Sequence, residues 1–238
     1  MITFALAGLI FFLAGLIQGI TGFGAGLVAI PLLLLIIDVK IAVPLLMLNN
    51  VLMTSYLSFT YRSILDWRKI YPLLVGTIPG IIIGTKCLAI IDPHLVRLLL
   101  GILLISYSLY NLFAQPRPLN MPGYIAYIAG LLTGFITGLV SAGGPPVIIY
   151  TTLTDWSKDQ IKATLSGFFI CNATFTVIVH ALSGMTTIRT LQYLVVTMPL
   201  IVLGAYLGSH LTDTINRRTY LKLIYTFLII MGLLMLRS

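Results

Sequence analysis

Charge is what this sequence has least of. Only 8% of its 238 residues are Asp, Glu, Lys or Arg, against about 25% in soluble domains. A chain so poor in charge cannot face water on all sides, which excludes an ordinary soluble domain. Acids are scarcest, six against 14 Lys and Arg, and all six fall in or beside the short stretches between apolar segments. A carboxylate proton relay at membrane depth therefore has no residues to use. Cysteine is limited to Cys87 and Cys171, each alone in an apolar stretch without CxxC spacing. Neither a metal site nor a disulfide is indicated, because lone buried cysteines behave as small hydrophobes. Walker loop, H-E-x-x-H and G-x-S-x-G are all missing, so ATP hydrolysis and the common hydrolase chemistries have no support. No catalytic residue and no cofactor are expected.

What is present is apolar. Hydrophobic residues make up 59% of the chain and the mean hydropathy is +1.07. Most segments between charges reach the roughly 20 residues that a membrane helix needs. The expected fold class is all-α, a polytopic membrane protein with no separate soluble domain. The net charge of +8 comes from basic residues scattered singly through short loops. That pattern fits the bias that orients membrane proteins, not a nucleic-acid surface. The start of the chain shows neither a basic n-region nor a small-residue cleavage site, so no removable signal peptide is expected.

Two long uncharged runs, 2–37 and 123–154, are each interrupted by glycines. The first contains residues 15–31, with Gly-Phe-Gly-Ala-Gly at 22–26; the second contains 134–146, ending Ser-Ala-Gly-Gly-Pro-Pro. Apolar segments at about 43–60, 71–90 and 95–113 follow the first run, and others at about 163–181, 190–209 and 219–236 follow the second. Thr-Ile-Pro-Gly-Ile-Ile-Ile-Gly at 77–84 resembles Thr-Met-Pro-Leu-Ile-Val-Leu-Gly at 197–204, and Asn49/Asn50 and Asn172 sit in comparable places. Two repeats are expected, 1–114 and 123–238, joined by a proline-rich linker at 115–122. Such repeats are a signature of secondary transporters.

A helix of 36 residues would reach about 54 Å, against a core of about 30 Å. Each run is therefore expected to fold as a hairpin, turning at 21–24 and at 141–144. Loop charges bear on this. With one crossing per run the 14 basic residues split six to eight; with hairpins they split five to nine. In the hairpin arrangement Arg62, Arg68, Lys69, Arg117, Lys158, Lys162, Arg217, Arg218 and Lys222 share a side, which should be cytoplasmic. Three further crossings per half then turn the second repeat upside down.

Irregular backbone at membrane depth is tolerated only when it is buried in protein or lines a cavity. A helix restarting after Gly22, Phe23 and Gly24, or at Gly143 and Gly144, offers free N–H groups and a positive dipole end, which bind anions. Pro145 and Pro146 suit a first helical turn, and Ser141 could cap that restart. Ser141, Ala142, Gly143, Gly144 and Pro145 are thus candidate binding residues, with Gly22, Phe23 and Gly24. The alternative is that the glycines serve close packing, a role to which Gly15, Gly19, Gly134 and Gly138 are assigned. Asn49, Asn50 and Asn172 are either donors to a polar substrate or interhelical hydrogen-bonding groups. His180, which could carry a proton, is expected at the membrane interface. Lys86 is expected to snorkel towards headgroups, and Trp67 and Trp156 to anchor segment ends.

The paired glycine stretches, the two halves and the proline linker together resemble the sulfite exporter TauE/SafE family across essentially the whole chain. The resemblance implies a plasma-membrane transporter of small, often sulfur-containing anions, in the bacterial inner membrane. Its implied partners are a small anionic substrate and the lipid bilayer, with no nucleic acid and with a homodimer left open. The site would lie near the midplane between the two broken runs and work by alternating access. An anion channel and a membrane-embedded enzyme are the rival readings.

Overall fold

Helix starts in this chain are written where apolar runs meet capping residues. Asp66 opens one helix by accepting from the Arg68 N–H at 3.0 Å, and the Asp92 carboxylate accepts from the His94 N–H at 2.7 Å beside Pro93. Ser157 and Gln160 form a reciprocal capping box, which satisfies two orphan donors at once. Thr187 and Thr190 exchange backbone-to-hydroxyl bonds in the same manner. The computed structural model describes residues 2–21, 24–60, 65–113, 119, 121–211 and 217–237. Gly22, Phe23 and most of the linker at 115–122 lie outside them.

The described residues form α1 (Ile2–Thr21), α2 (Ala25–Leu33), α3 (Val39–Thr60), α4 (Trp67–Ile90), α5 (Pro93–Phe113), α6 (Tyr124–Val140), α7 (Gly144–Thr152), α8 (Lys158–Leu182), α9 (Ile188–Leu211) and α10 (Arg217–Arg237). The protein is an all-α, multi-pass membrane protein: α1, α4, α5, α8 and α9 are each long and apolar enough to cross a bilayer. Their outward faces carry exposed Leu, Ile and Val, among them Ile83, Ile102, Ile178 and Val202. Trp67 is exposed at the head of α4, and Lys86 is exposed near its end.

Packing crosses between the two halves of the chain. The closest pairings are α4 with α6, α1 with α9, and α5 with α10, while α3 touches both α8 and α9. Glycine makes the first two pairings so close. A Cβ on Gly76, Gly80 or Gly84 would run into the backbone oxygen of Tyr127, Leu131 or Phe135 on α6. In return, one on Gly130, Gly134 or Gly138 would strike the oxygen of Leu73, Thr77 or Ile81 on α4. Gly15, Gly204 and Gly208 play the same part between α1 and α9, as the packing role assigned to Gly15, Gly134 and Gly138 requires. Thr77 adds a hydroxyl bond to the Gly130 oxygen at 2.9 Å. Without a hydrophobic drive between helices in lipid, this backbone-level contact is the main source of association.

Two apolar clusters fill the interior. One runs mainly through α1, α2, α3, α5 and α10 and takes in Leu88, Leu139 and Ile201, with Phe11, Ile30, Leu45 and Leu104 among its members. The other joins α4, α6, α7 and α8 through Ile70, Leu73, Val147 and Phe168.

A Gly80→Val or Gly134→Val substitution would wedge α4 from α6. Overpacking of this kind costs about 1–3 kcal/mol or more, and a thermal melt followed by size-exclusion chromatography in detergent should show loss of folded protein. Gly123→Ala, where a Cβ meets nothing within 4 Å, should melt like the wild type.

Candidate functional site

Both glycine-rich stretches break their helices where the sequence places the breaks, and the breaks meet inside the protein. α1 stops at Thr21 and α2 starts at Ala25. Gly24, the residue before α2, takes φ of 96°, a left-handed conformation that costs glycine little. In the second stretch α6 ends at Val140, and Ser141 takes the left-handed conformation at φ 55°. A Cβ on Gly26 would stand 3.0 Å from the Ser141 oxygen and 4.0 Å from the Ala142 Cα. That backbone proximity brings the start of α2 against the end of α6.

The second break reverses the chain. A Cβ on Gly143 would collide with the Thr133 oxygen and the Thr137 hydroxyl, so the turn folds back onto α6. Beyond the far end, the Leu119 N–H donates to the Leu153 oxygen at 2.8 Å. The residues just before α6 and just after α7 therefore lie side by side.

Ser141 does not do what its position suggests. It closes α6 instead of capping α7: its N–H bonds the Thr137 oxygen at 2.8 Å, and its hydroxyl donates to the Val43 oxygen on α3 at 2.9 Å. α7 has no side-chain cap. The left-handed turn at Ser141 directs the hydroxyl away from α7, which is a geometry that spacing alone does not reveal.

The two helix starts differ in donors. At α2 the first three residues, Ala25, Gly26 and Leu27, all carry N–H groups, and the first helical bond is Val28 to Gly24 at 3.2 Å. At α7 the first three are Gly144, Pro145 and Pro146, and proline has no N–H. Backbone donors are thus concentrated at the first break. The prolines that favour a helix start also strip it of hydrogen bonds.

Side chains compensate at the second break. Asn172 is buried on α8, and its Nδ2 lies 3.4 Å from the Thr137 hydroxyl behind Gly143. Its Oδ1 has no hydrogen-bond partner among the described residues, and neither does the Thr133 hydroxyl. Phe169, one turn earlier on α8, would touch a Cβ on Gly144 at 3.9 Å. Buried Ala142, Gly143 and Pro145 and half-buried Gly144 complete this corner.

The asparagines separate into different roles. Asn49 is fully buried, with Nδ2 bonding the Leu45 oxygen and the Thr197 hydroxyl on α9, both at 3.0 Å. It is an interhelical tie. Asn50 is half-buried, and its backbone oxygen accepts from Thr54 at 2.8 Å. The Thr176 hydroxyl bonds the Asn172 oxygen in the same way at 2.7 Å, which matches Asn50, not Asn49, with Asn172.

His180, expected at the membrane interface, is instead fully enclosed. Its Nε2 lies 3.4 Å from the Gly138 oxygen. The signal was available as periodicity. Asn172, Thr176 and His180 follow at intervals of four on α8, as do Thr133, Thr137 and Ser141 on α6. Asn172, Thr176 and His180 lie on one face of α8, and that face meets α6 at the Thr137 hydroxyl and the Gly138 oxygen. Among the described residues no group of three or more His, Cys or Asp side chains gathers as metal ligands.

Residues 7–235 match the family described as Sulfite exporter TauE/SafE. A relative from Cupriavidus necator, named "Probable sulfite/organosulfonate exporter TauE", is similar over 225 residues at 23% identity, covering 90% of this chain and 86% of the relative. No solved structure matches. The family match runs through both broken helices and every helix packed around them, so this chain belongs to the sulfite exporter TauE/SafE family.

Proposed function

We propose that this protein is a secondary transporter of a small sulfur-containing anion, sulfite or an organosulfonate, across the plasma membrane. The meeting of the two helix breaks carries the reading. At that point α2 begins with three N–H groups that have no partner within the helix, and with its positive dipole end, and α6 and α8 supply polar side chains. Helix starts of this kind hold anions without a fixed cation, and paired broken helices are where such carriers bind substrate. The relative's printed name narrows the substrate class.

Residues 1–114 and 123–238 then act as inverted repeats, each a broken hairpin followed by three crossings. Three contacts support this topology. The Lys69 ammonium sits 4.8 Å over the Trp156 ring, joining the head of α4 to the α7–α8 connection. At the other end Arg97 donates to the Leu34 oxygen at 3.2 Å and Lys40 to the Ala89 oxygen at 3.3 Å. These groupings follow the five-to-nine charge split, and the richer side, with Lys69, is cytoplasmic by the positive-inside rule. Transport proceeds by alternating access around the breaks. A channel is the second reading, and trans-stimulation of flux separates the two, since a pore shows none.

Reconstituted flux of labelled sulfite with sulfonate competitors tests the assignment. Asn172→Ala should raise KM roughly tenfold or more, the scale of one hydrogen bond to a charged group, while the protein stays folded. Gly144→Ala should also raise KM by narrowing the corner proposed for the anion, and should fold, because its added methyl meets only the side-chain ends of Ile148 at 3.3 Å and Phe169 at 3.9 Å. Unchanged KM in both variants would return the second break to a packing role.

Asn49→Ala should act oppositely, lowering the melting temperature through loss of the Thr197 tie and leaving KM in place. Its coupling to Thr197→Ala in a double-mutant cycle should be about 0.6–1.7 kcal/mol, the range of interhelical hydrogen bonds in membranes.

A further inference from the structure

We propose that His180 is the proton-linked residue of this transporter, taking up a proton as the anion settles at the breaks and releasing it as the anion leaves. The proposal rests on the anion-transport reading above and adds its coupling. His94 stands at the head of α5 and His210 is exposed at the end of α9, but His180 is fully buried between helices. It is the one acid–base side chain among the described residues enclosed on the polar α6–α8 seam.

Its hydrogen bonding is incomplete. In the neutral ring Nε2–H donates to the Gly138 oxygen at 3.4 Å, which leaves Nδ1 as an acceptor. Nδ1 has no partner among the described residues, and neither does the Thr85 hydroxyl on α4. A Cβ on Gly138 would lie 3.1 Å from that Thr85 hydroxyl, so both orphaned atoms belong to residues around Gly138. Gly138 is one helical turn before Ser141, where the breaks meet. A proton added to Nδ1 places a positive charge beside Gly138, one turn along α6 from Ser141.

The surroundings decide which way this charge is biased. Four helices pack on α8: α3, α4, α6 and α7. The acid Asp38 precedes α3 and pairs its carboxylate with the Lys40 N–H, and Lys40 and Lys86 are exposed. α4 also carries half-buried Cys87, with Arg68, Lys69 and Tyr71 at its far, opening end. α6 offers only exposed Tyr124 and Tyr127 at its start, and Tyr150 of α7 rests against Trp156. On α8 itself Cys171 lies half a turn round the helix, on the opposite face, while Lys158, Asp159 and Lys162 occupy its first turns. Among the described residues no acid is bonded to His180, so an imidazolium there has no described counter-charge. An arriving anion supplies the missing charge. By linkage the anion raises the proton affinity of His180 and the proton raises the affinity for the anion by the same factor.

The proton balance is simple. Nδ1 gains H⁺ from the side on which the anion enters and returns it on the side where the anion leaves, so one proton accompanies one monoanion. Net transport is then electroneutral and runs down a proton gradient.

Methanesulfonate is the probe of choice, because it stays a monoanion through the range in which histidine titrates, about pH 5 to 8, and carries no proton itself. Wild-type proteoliposomes containing a pH-sensitive dye should acidify inside when methanesulfonate is added outside. They should accumulate it under an inward proton gradient, with no response to an imposed potential, and half-saturation for exchange should fall about tenfold from pH 8 to pH 5. H180Q, whose amide can still donate to Gly138, should keep methanesulfonate exchange but lose lumenal acidification, gradient-driven accumulation and the pH profile. Sulfonate entry into wild-type vesicles at constant lumenal pH overturns the proposal while leaving the transport reading in place. Unaltered proton movement in H180Q overturns the role of this residue. No sulfonate or sulfite flux in the wild type overturns both readings. The wild-type dye measurement decides the coupling whether or not the variant folds.

Discussion

The structure depends on helices coming close enough for backbone to touch backbone. In lipid the apolar side chains of a helix gain little by leaving the tails, so close approach must be designed into the residues that face a neighbour. Gly76, Gly80 and Gly84 on α4 interleave with Gly130, Gly134 and Gly138 on α6. This seam fixes α6 along most of its length, and only then can its end at Ser141 be held against Gly26 of α2. The α1–α9 pairing reaches the same closeness with its sizes exchanged. Where α4 presents Gly76 to Tyr127, α9 presents Val196 and Leu200 to Gly8 of α1. A small residue on one face is answered by a large one on the other, so the separation is kept although the residues differ.

That exchange shows how two related pairings can diverge while the frame persists. The divergence is larger at the breaks. α2 begins with three residues that keep their N–H groups, and α7 begins with glycine and two prolines. The polar stripe Asn172, Thr176 and His180 on α8 has only Asn50 and Thr54 as its described counterpart on α3. One half therefore contributes backbone donors and the other contributes side chains. On the proposed reading a single anion lies between them, and its two sides are recognised by different chemistry.

Much of the architecture was legible because membranes simplify the code. Apolar segments at about 71–90 and 95–113 became Trp67–Ile90 and Pro93–Phe113, with the starts moved outward to the capping residues Asp66 and Asp92. The two breaks were legible because glycine clusters in uncharged runs have few other uses at that depth. The side-chain roles were not. Asn49 and Asn50 are neighbours in sequence but lie about 100° apart around a helix, so one ties α3 to α9 while the other does not. Ser141 changed role because one left-handed residue redirected its hydroxyl to Val43. His180 lies near the end of α8, and its burial comes from α6 ending beside it. The four-residue spacing from Asn172 put it on one face with Asn172 and Thr176, but which helix covers that face is a tertiary fact.

The scarcity of charge that excluded so many chemistries becomes a requirement once the breaks are taken as the site. A fixed Lys or Arg at membrane depth would bind an anion through a full charge in a low dielectric, where the attraction is strongest. A carrier must also let go on the far side, so binding has to be favourable enough to load and weak enough to unload. Backbone N–H groups, a helix dipole and an amide give partial charges that meet both demands. On the proposed alternating-access reading they belong to elements that move as units, so the site is dismantled when α2 and α6 part. A cation that appears only while the anion is present would strengthen the loaded state and vanish from the empty one. Among the side chains lining this seam, histidine is the one able to behave in that way near neutral pH. The absence of other charge around it is what would make its protonation depend on the cargo.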